Sequence, residues 1–243
     1  TKPGIYVLQE DITFHPNADH DFFPSPAQIM SNQYPMGSQG AYHLGFFAAI
    51  TVETDGVILD LNGKTLQQSK LHNLQQRFYA NIELASAPFI PAQGPATFST
   101  ESTYKLASNT LILNGHLGLS SHHGIHGNTA HHIFLHNLSI SDFEVAAIAL
   151  NGAHSTVLNN ITIHNVSQHI PILSTYSQSR FIRTFLKTLQ TNVNGATLGA
   201  KNIDTIIADL DSALEDAKND VMDNKIPTNF FGNQTLLYDG NVY

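Results

Sequence analysis

Apolar and polar residues alternate along much of this chain, and the alternation recurs. Residues 109–119 read NTLILNGHLGL, 131–140 read HHIFLHNLSI, and 155–163 read STVLNNITI. Each is a short alternating run, a polar pair, and a second short alternating run. The pairs are Asn114-Gly115, His136-Asn137 and Asn159-Asn160, evenly spread along the chain. A fourth copy, VILDLNGKTL at 57–66, carries Asn62-Gly63. Period-two alternation predicts strands with one buried face. A repeat of roughly 22 residues predicts a strand-rich solenoid, whose coils bury their apolar sides only by stacking. The pattern turns Leu111/Leu113, Ile133/Leu135 and Leu158 inward, followed after the corner by Leu138/Ile140 and Ile161/Ile163. Asn and Gly suit the corners because they tolerate left-handed backbone. Asn amides at equivalent corners can also join in a hydrogen-bonded ladder.

The intervening segments read differently. Residues 15–39 carry Pro16, Pro24, Pro26 and Pro35, and 87–100 carry Pro88, Pro91, Gly94 and Pro95. Both are expected to be long irregular loops. The run LGFFAAITV at 44–52 reads as a buried strand. After Ser179 the period changes to that of amphipathic helices: Phe181, Ile182, Phe185, Leu186 and Leu189 share one face of 180–190. Ile203, Ile206, Ile207, Leu210, Leu214, Ala217 and Val221 share one face of 202–222, with Asn202 placed as N-cap. The expected organisation is a β-solenoid over 1–178, an α-helical insertion or cap over 179–224, and a return to strand and corner over 225–243. The last of these rests on LLYDGNVY at 236–243. The opening Thr1-Lys2-Pro3-Gly4 has neither an initiator Met nor a signal-like apolar stretch. We therefore expect a processed piece of a longer protein in which another coil follows.

These repeats resemble the right-handed parallel β-helix of the pectin-lyase-like superfamily. GIYVLQEDITF at 4–14 looks like the strand that opens such helices, and the likeness runs over roughly 4–167. The fold class it implies is an all-β solenoid, a single-stranded right-handed parallel β-helix with a small α-helical insertion near the C-terminal end. The catalytic motifs of that superfamily are missing. The Asn-Thr-Asp, Asp-Asp, Gly-His-Gly and Arg-x-Lys signatures of polygalacturonase-like members do not occur; Gly115-His116-Leu117 and Asn128-Thr129-Ala130 are partial echoes. Pectate-lyase-like members carry a Trp-bearing signature, and this chain has no Trp.

Composition narrows the function classes. Among 243 residues only 12% are charged, about half the usual share of roughly 25%. The net charge of −8 with 11 basic residues excludes a nucleic-acid binder. No apolar run reaches the roughly 18 residues of a membrane helix, so no membrane span is expected. With no Cys there is no disulfide framework and no Cys-based zinc site. The chain holds 14 His, and adding their fourteen charges to −8 gives +6 when all are protonated. Eight of them lie within 114–155, where there is no Lys or Arg. Mild acid therefore concentrates its effect on this part of the chain.

The densest polar stretch, SSHHGIHGNTAHH at 120–132, supplies the catalytic candidates His122, His123 and His126. Asp142 and Glu144 follow at i and i+2, about 6.5–7 Å apart on one strand face. Together they offer an acid/base set for polysaccharide cleavage. No HExxH occurs, and neither a metal nor a cofactor is expected. Arg77, Phe78 and Tyr79 in LQQRFY are candidate substrate-binding residues, since Arg and aromatic rings together suit sugar stacking. N-x-S/T sequons stand at Asn137, Asn160, Asn165 and Asn233, with Asn165 and Asn233 the better glycosylation candidates because the first two fall on corners. The absence of Lys and Arg between Lys105 and Arg180 argues against a polyanion lyase unless the site lies on the Arg77 loop or works at acid pH.

The fold hosts many functions, so the sequence leaves two open. The first is a non-catalytic structural or surface protein of an extracellular appendage or virus-like particle, contacting glycans. The alternative is a polysaccharide lyase or glycoside hydrolase of the pectin-lyase-like group. Partners follow accordingly: assembly partners, self-association, or a polysaccharide, in an extracellular or particle-surface setting.

Overall fold

The computed structural model describes residues 2–16, 27, 47–76, 78–94, 104–164, 174–193 and 195–225. The chain divides into two compact units, Thr1–His169 and Ile170–Tyr243. The first is made mostly of parallel strands. In chain order they are β1 (Gly4–Val7), β2 (Ile12–Phe14), β3 (Ala48–Thr51), β4 (Val57–Asp60) and β5 (Thr65–Gln68). A short helix, α1 (Lys70–Gln75), precedes β6 (Ala80–Glu83). Then come β7 (Ser108–Leu117), β8 (His123–Asn128), β9 (His131–Ser141), β10 (Ala146–Asn151) and β11 (His154–His164). One sheet joins β1, β4, β7, β9 and β11, with β2 and β5 alongside; the other runs β3-β6-β8-β10. Every pairing in both sheets is parallel.

The register corrects two expectations. Ile112 pairs with Leu135, and Leu135 with Leu158, so β7, β9 and β11 follow one another by the same number of positions. The left-handed corner residues are Asn114, Asn137 and Asn160, with φ of 58°, 53° and 53°. The corner is thus the first member of one polar pair and the second member of the other two. Aligning the pairs by their first members therefore shortens the first interval by one position. Second, Thr110 and Ile112 are fully buried, whereas Leu111 and Leu113 are only half-buried. A slip of one residue exchanges the two faces of a strand. The corner amides form the expected ladder: Asn160 Nδ2 donates to Asn137 Oδ1 (2.8 Å), and Asn137 Nδ2 donates to Asn114 Oδ1 (3.0 Å). A second ladder joins Asn151 Nδ2 to Asn128 Oδ1 at 3.0 Å.

Leu59, Leu61, Leu66, Ile82, Leu84, Ile112, Leu117, Ile125, Ile133, Leu135 and Ile140 form a continuous apolar core between the sheets. Packing is tight at the corners. A Cβ on Gly115 would stand 2.4 Å from Leu61 Cβ and 2.8 Å from the Lys64 carbonyl oxygen. Gly115 therefore serves close approach, while its neighbour Asn114 takes the left-handed conformation. Burial falls away at β11: Leu158 and Ile163 are 54% and 50% exposed, although their register partners Leu135 and Ile140 are fully buried.

The loops and helices depart from expectation in detail. The segment 44–52 contributes β3, and 4–14 contributes β1 and β2, as expected. Helix α1 is not predicted by the sequence pattern; it is too short for a clear period, and Ser69 caps it by accepting from His72 N at 3.1 Å. In the second unit α2 spans Ser174–Asn192, so 174–178 belongs to a helix rather than to the β part. A two-residue antiparallel hairpin, β12 (Thr197–Leu198) with β13 (Lys201–Asn202), leads into α3 (Ile203–Met222). Asn202 caps α3, accepting from Asp204 N at 2.7 Å. Ile203, Ile207, Leu210, Leu214, Ala217 and Val221 form its buried face. Arg183 of α2 pairs with Asp211 of α3. Among the described residues no helix is long and apolar enough to cross a membrane. Most of 15–39, the end of 87–100 and all of 226–243 lie outside the described residues.

Candidate functional site

The site is built on the outward face of the β3-β6-β8-β10 sheet. Ile82, Ile125 and Ile148 are aligned in register, and Ile82 and Ile125 are core residues. The next residue on each strand points the other way. It is Thr51 on β3, Glu83 on β6, His126 on β8 and Ala149 on β10, all in one row. Neighbours in such a row are about 4.8 Å apart at the backbone, so side chains touch. Here His126 Nδ1 meets Glu83 Oε2 at 2.6 Å.

Glu83 is 1% exposed, and its second oxygen, Oε1, is buried with no hydrogen-bond partner among the described residues. Burial pushes its carboxyl above the usual carboxylate range, and the bond to His126 offsets this only partly. Burial and then the nearby Glu83 charge also push up the Tyr104 hydroxyl, another buried polar atom without a partner among the described residues.

His123 stacks on His126, with ring centroids 5.0 Å apart and planes 8° from parallel. His122 lies against His123 at 3.9 Å, tilted by 53°, and Phe78 meets His122 edge-on at 6.1 Å. Burial, followed by His122 and His126, pushes the His123 imidazole down to about 3, with the Ala146 backbone acting against them. His123 is therefore neutral at pH 7. Glu83, the three histidines and Ala80 share a cavity of about 100 Å³ with Phe47, Phe78, Tyr79, Pro88 and Phe89.

A buried polar network behind α1 holds the histidine turn. Gln68 Nε2 donates to Ser121 Oγ (3.2 Å) and faces His72 Nδ1 (2.9 Å), while Gln68 Oε1 accepts from Ser121 N (2.7 Å). Ser121 Oγ donates to the Gln76 carbonyl, and Ser120 Oγ donates to the His123 carbonyl at 2.7 Å. These bonds tie the turn at Ser120 and Ser121 to Gln68 and Gln76.

The predicted site residues fare unequally. His122, His123 and His126 converge. Asp142 and Glu144 do not line the cavity, and the carboxylate in their place is Glu83. Asp142 is a left-handed residue (φ 55°) whose Oδ2 accepts from Ser141 Oγ at 3.1 Å. The main chain at Asp142 and Glu144 bonds Ser120. Phe78 is 60% exposed at the cavity, a ring available for stacking. Tyr79 is 2% exposed, and its hydroxyl donates to Asn81 Oδ1 at 2.9 Å, so it supports the wall rather than presenting a free face. Arg77, Asn165 and Asn233 lie outside the described residues. Asn137 and Asn160 are committed to the corner ladder.

Glu83 is the cavity carboxylate that sequence reasoning misses. The available signal is one carboxylate inside the otherwise uncharged run ANIELASA at 80–87. Among the described residues no group of three His, Asp or Glu side chains is arranged to hold a metal ion. Comparison with protein-family models, curated proteins and solved structures returns no match. What the arrangement can do is therefore read from its chemistry. A carboxylate on one imidazole nitrogen fixes the ring and its tautomer and leaves the other nitrogen to take or give a proton.

Proposed function

We propose that the first unit is a right-handed parallel β-helix of the pectin-lyase-like kind, and that it acts on a polysaccharide at the cavity beside β6 and β8. In this reading Glu83 and His126 form the acid/base pair, and Phe78 and Phe89 offer rings to the sugar chain. One observation carries the reading: a fully buried carboxylate is held against a histidine in an aromatic-lined cavity. Burying an ionisable pair is often no better for stability than an apolar replacement, so a mere rod gains little from it. Perturbed carboxyls in clefts are characteristic of sites that handle protons. The described lining holds no Lys or Arg, which supports a neutral chain, while Arg77, next to Phe78 in sequence, lies outside the described residues.

The test is binding and turnover on a polysaccharide panel at pH 5 and pH 8, with Phe78→Ala as the comparison. We expect binding to neutral chains that weakens in the variant. A folded protein that neither binds nor alters any chain would overturn the reading. A second reading, a structural protein of an appendage or particle surface, is favoured by the exposed apolar side chains Leu158 and Ile163 on β11. An extracellular or particle-surface setting belongs to both readings.

A further inference from the structure

Resting on the glycan reading above, we infer that Glu83 and His126 hydrolyse an acyl ester carried by the polysaccharide, with a short acyl group such as acetyl seated in the aromatic cavity. Three observations select this reaction. The described cavity wall holds one carboxylate, Glu83. Glycosidic hydrolysis by the usual routes needs two, set about 5–5.5 Å or 6.5–9.5 Å apart. The described part of that wall holds no Lys or Arg to neutralise a uronate carboxylate during elimination; Arg77, next to Phe78, lies outside the described residues. Finally, the cavity of about 100 Å³ is small. Pockets that enclose a whole small ligand run to about 300–1,000 Å³. A space below that range takes part of a ligand rather than the whole of it, and a short acyl group is such a part.

With Glu83 as the carboxylate, its contact with His126 Nδ1 at 2.6 Å takes the ring proton on Nδ1, and Nε2 is then the nitrogen that accepts. His126 Nε2 takes a proton from water as the water oxygen bonds to the acyl carbon. The bond between that carbon and the sugar oxygen then breaks. His126 Nε2 returns its proton to the departing sugar oxygen. The products are a carboxylic acid and a free sugar hydroxyl, and water is the only co-reactant. His123, stacked on His126, is a positioning residue that holds the ring in plane.

The experiment incubates the full chain with acetylated xylan and with acetylated glucomannan and measures acetate release. Binding of the chemically deacetylated chains is measured in parallel. His126→Gln and Glu83→Gln are compared with His131→Gln, whose ring stacks on His154 away from the cavity. We expect acetate release that falls by about 10²–10⁴-fold in His126→Gln, the usual contribution of a general base. Glu83→Gln lowers it by at least about tenfold, and His131→Gln leaves it unchanged. In ¹⁸O-labelled water the wild type places the label in acetate and not in the sugar, a readout that stands even where a variant fails to fold. Binding of the deacetylated chains without acetate release from either ester would overturn this inference and leave the glycan reading intact. Absence of both binding and release would overturn the two together. Release that persists in folded His126→Gln would also overturn it.

Discussion

Two buried histidines set how this fold responds to acid. His72 is fully buried, and its imidazole is pushed down to about 3 by burial and then by His15. Gln68 Nε2, a donor, already faces His72 Nδ1 at 2.9 Å, so a proton arriving on that nitrogen would face a donor there. The His123 imidazole, also held at about 3, shares its pocket with His122 and His126. In an unfolded chain each titrates near 6.5. Between about 3 and 6.5 the unfolded chain therefore binds more protons than the folded one, and stability rises with pH. The stabilisation from keeping both neutral is complete above pH 6.5 and drains as pH falls towards 3. Linkage gives a loss of about 2 kcal/mol for each histidine between pH 7 and pH 5, hence about 4 kcal/mol for the two. Glu83 works in the opposite direction, because acid relieves its burial cost, so this figure is a ceiling. Against a typical total of about 5–15 kcal/mol the loss is large. For a unit of this size it corresponds to a fall in Tm of about 8–16 °C. The assay is urea and thermal unfolding followed by circular dichroism at pH 7, 6 and 5. Wild type is compared with His72→Gln, His123→Gln and the double variant, in which the pH dependence flattens. An unchanged wild-type midpoint from pH 7 to pH 5, or an equal slope in the double variant, would refute the reasoning.

Three further outcomes follow from packing and corners. Asn137→Ala loses ladder bonds of 2.8 and 3.0 Å and strains a residue with φ 53°, costing about 1–3 kcal/mol in urea unfolding; Asn137→Gly recovers only the backbone part. Gly115→Ala drives a Cβ to 2.4 Å from Leu61 Cβ and destabilises by about 1–3 kcal/mol, so a variant within about 0.5 kcal/mol of wild type contradicts the tight corner. Leu158→Ser, on a side chain 54% exposed, changes stability by about 0.5 kcal/mol or less, whereas Leu135→Ala, its buried register partner, costs about 2–5 kcal/mol. Equal losses at both positions, together with a multimer in light scattering that Leu158→Lys dissociates, would show the β11 face to be covered by another copy.

Much of the fold is legible because residue type alone encodes it. Alternation in 131–140 marks β9, Asn114 and Asn160 mark corners, and Asn202 marks the start of α3. Helix α1 is not legible, since so short a helix shows no full period and is held by Ser69 and the Gln68 network. The histidine cluster is legible as a cluster, but its carboxylate is not. Asp142 and Glu144 stand near it in the chain, yet the residue that meets His126 is 43 positions earlier.

By itself the sequence determined the strand periodicity, the left-handed Asn corners, the inward face of β9 and the change to helices after the β part. Those depend on local conformational preference and on which side chains leave water. The tertiary structure alone decided the register. From β8 to β10 the chain returns after 23 positions, so that Asn128 meets Asn151. From β6 to β8 it returns only after a much longer excursion, so that Glu83 meets His126. The length of that excursion sets which side chains share a row, and only so does Glu83 come to lie on His126. No local pattern carries such an offset, because the contact between strands depends on where the chain returns rather than on the residues it passes.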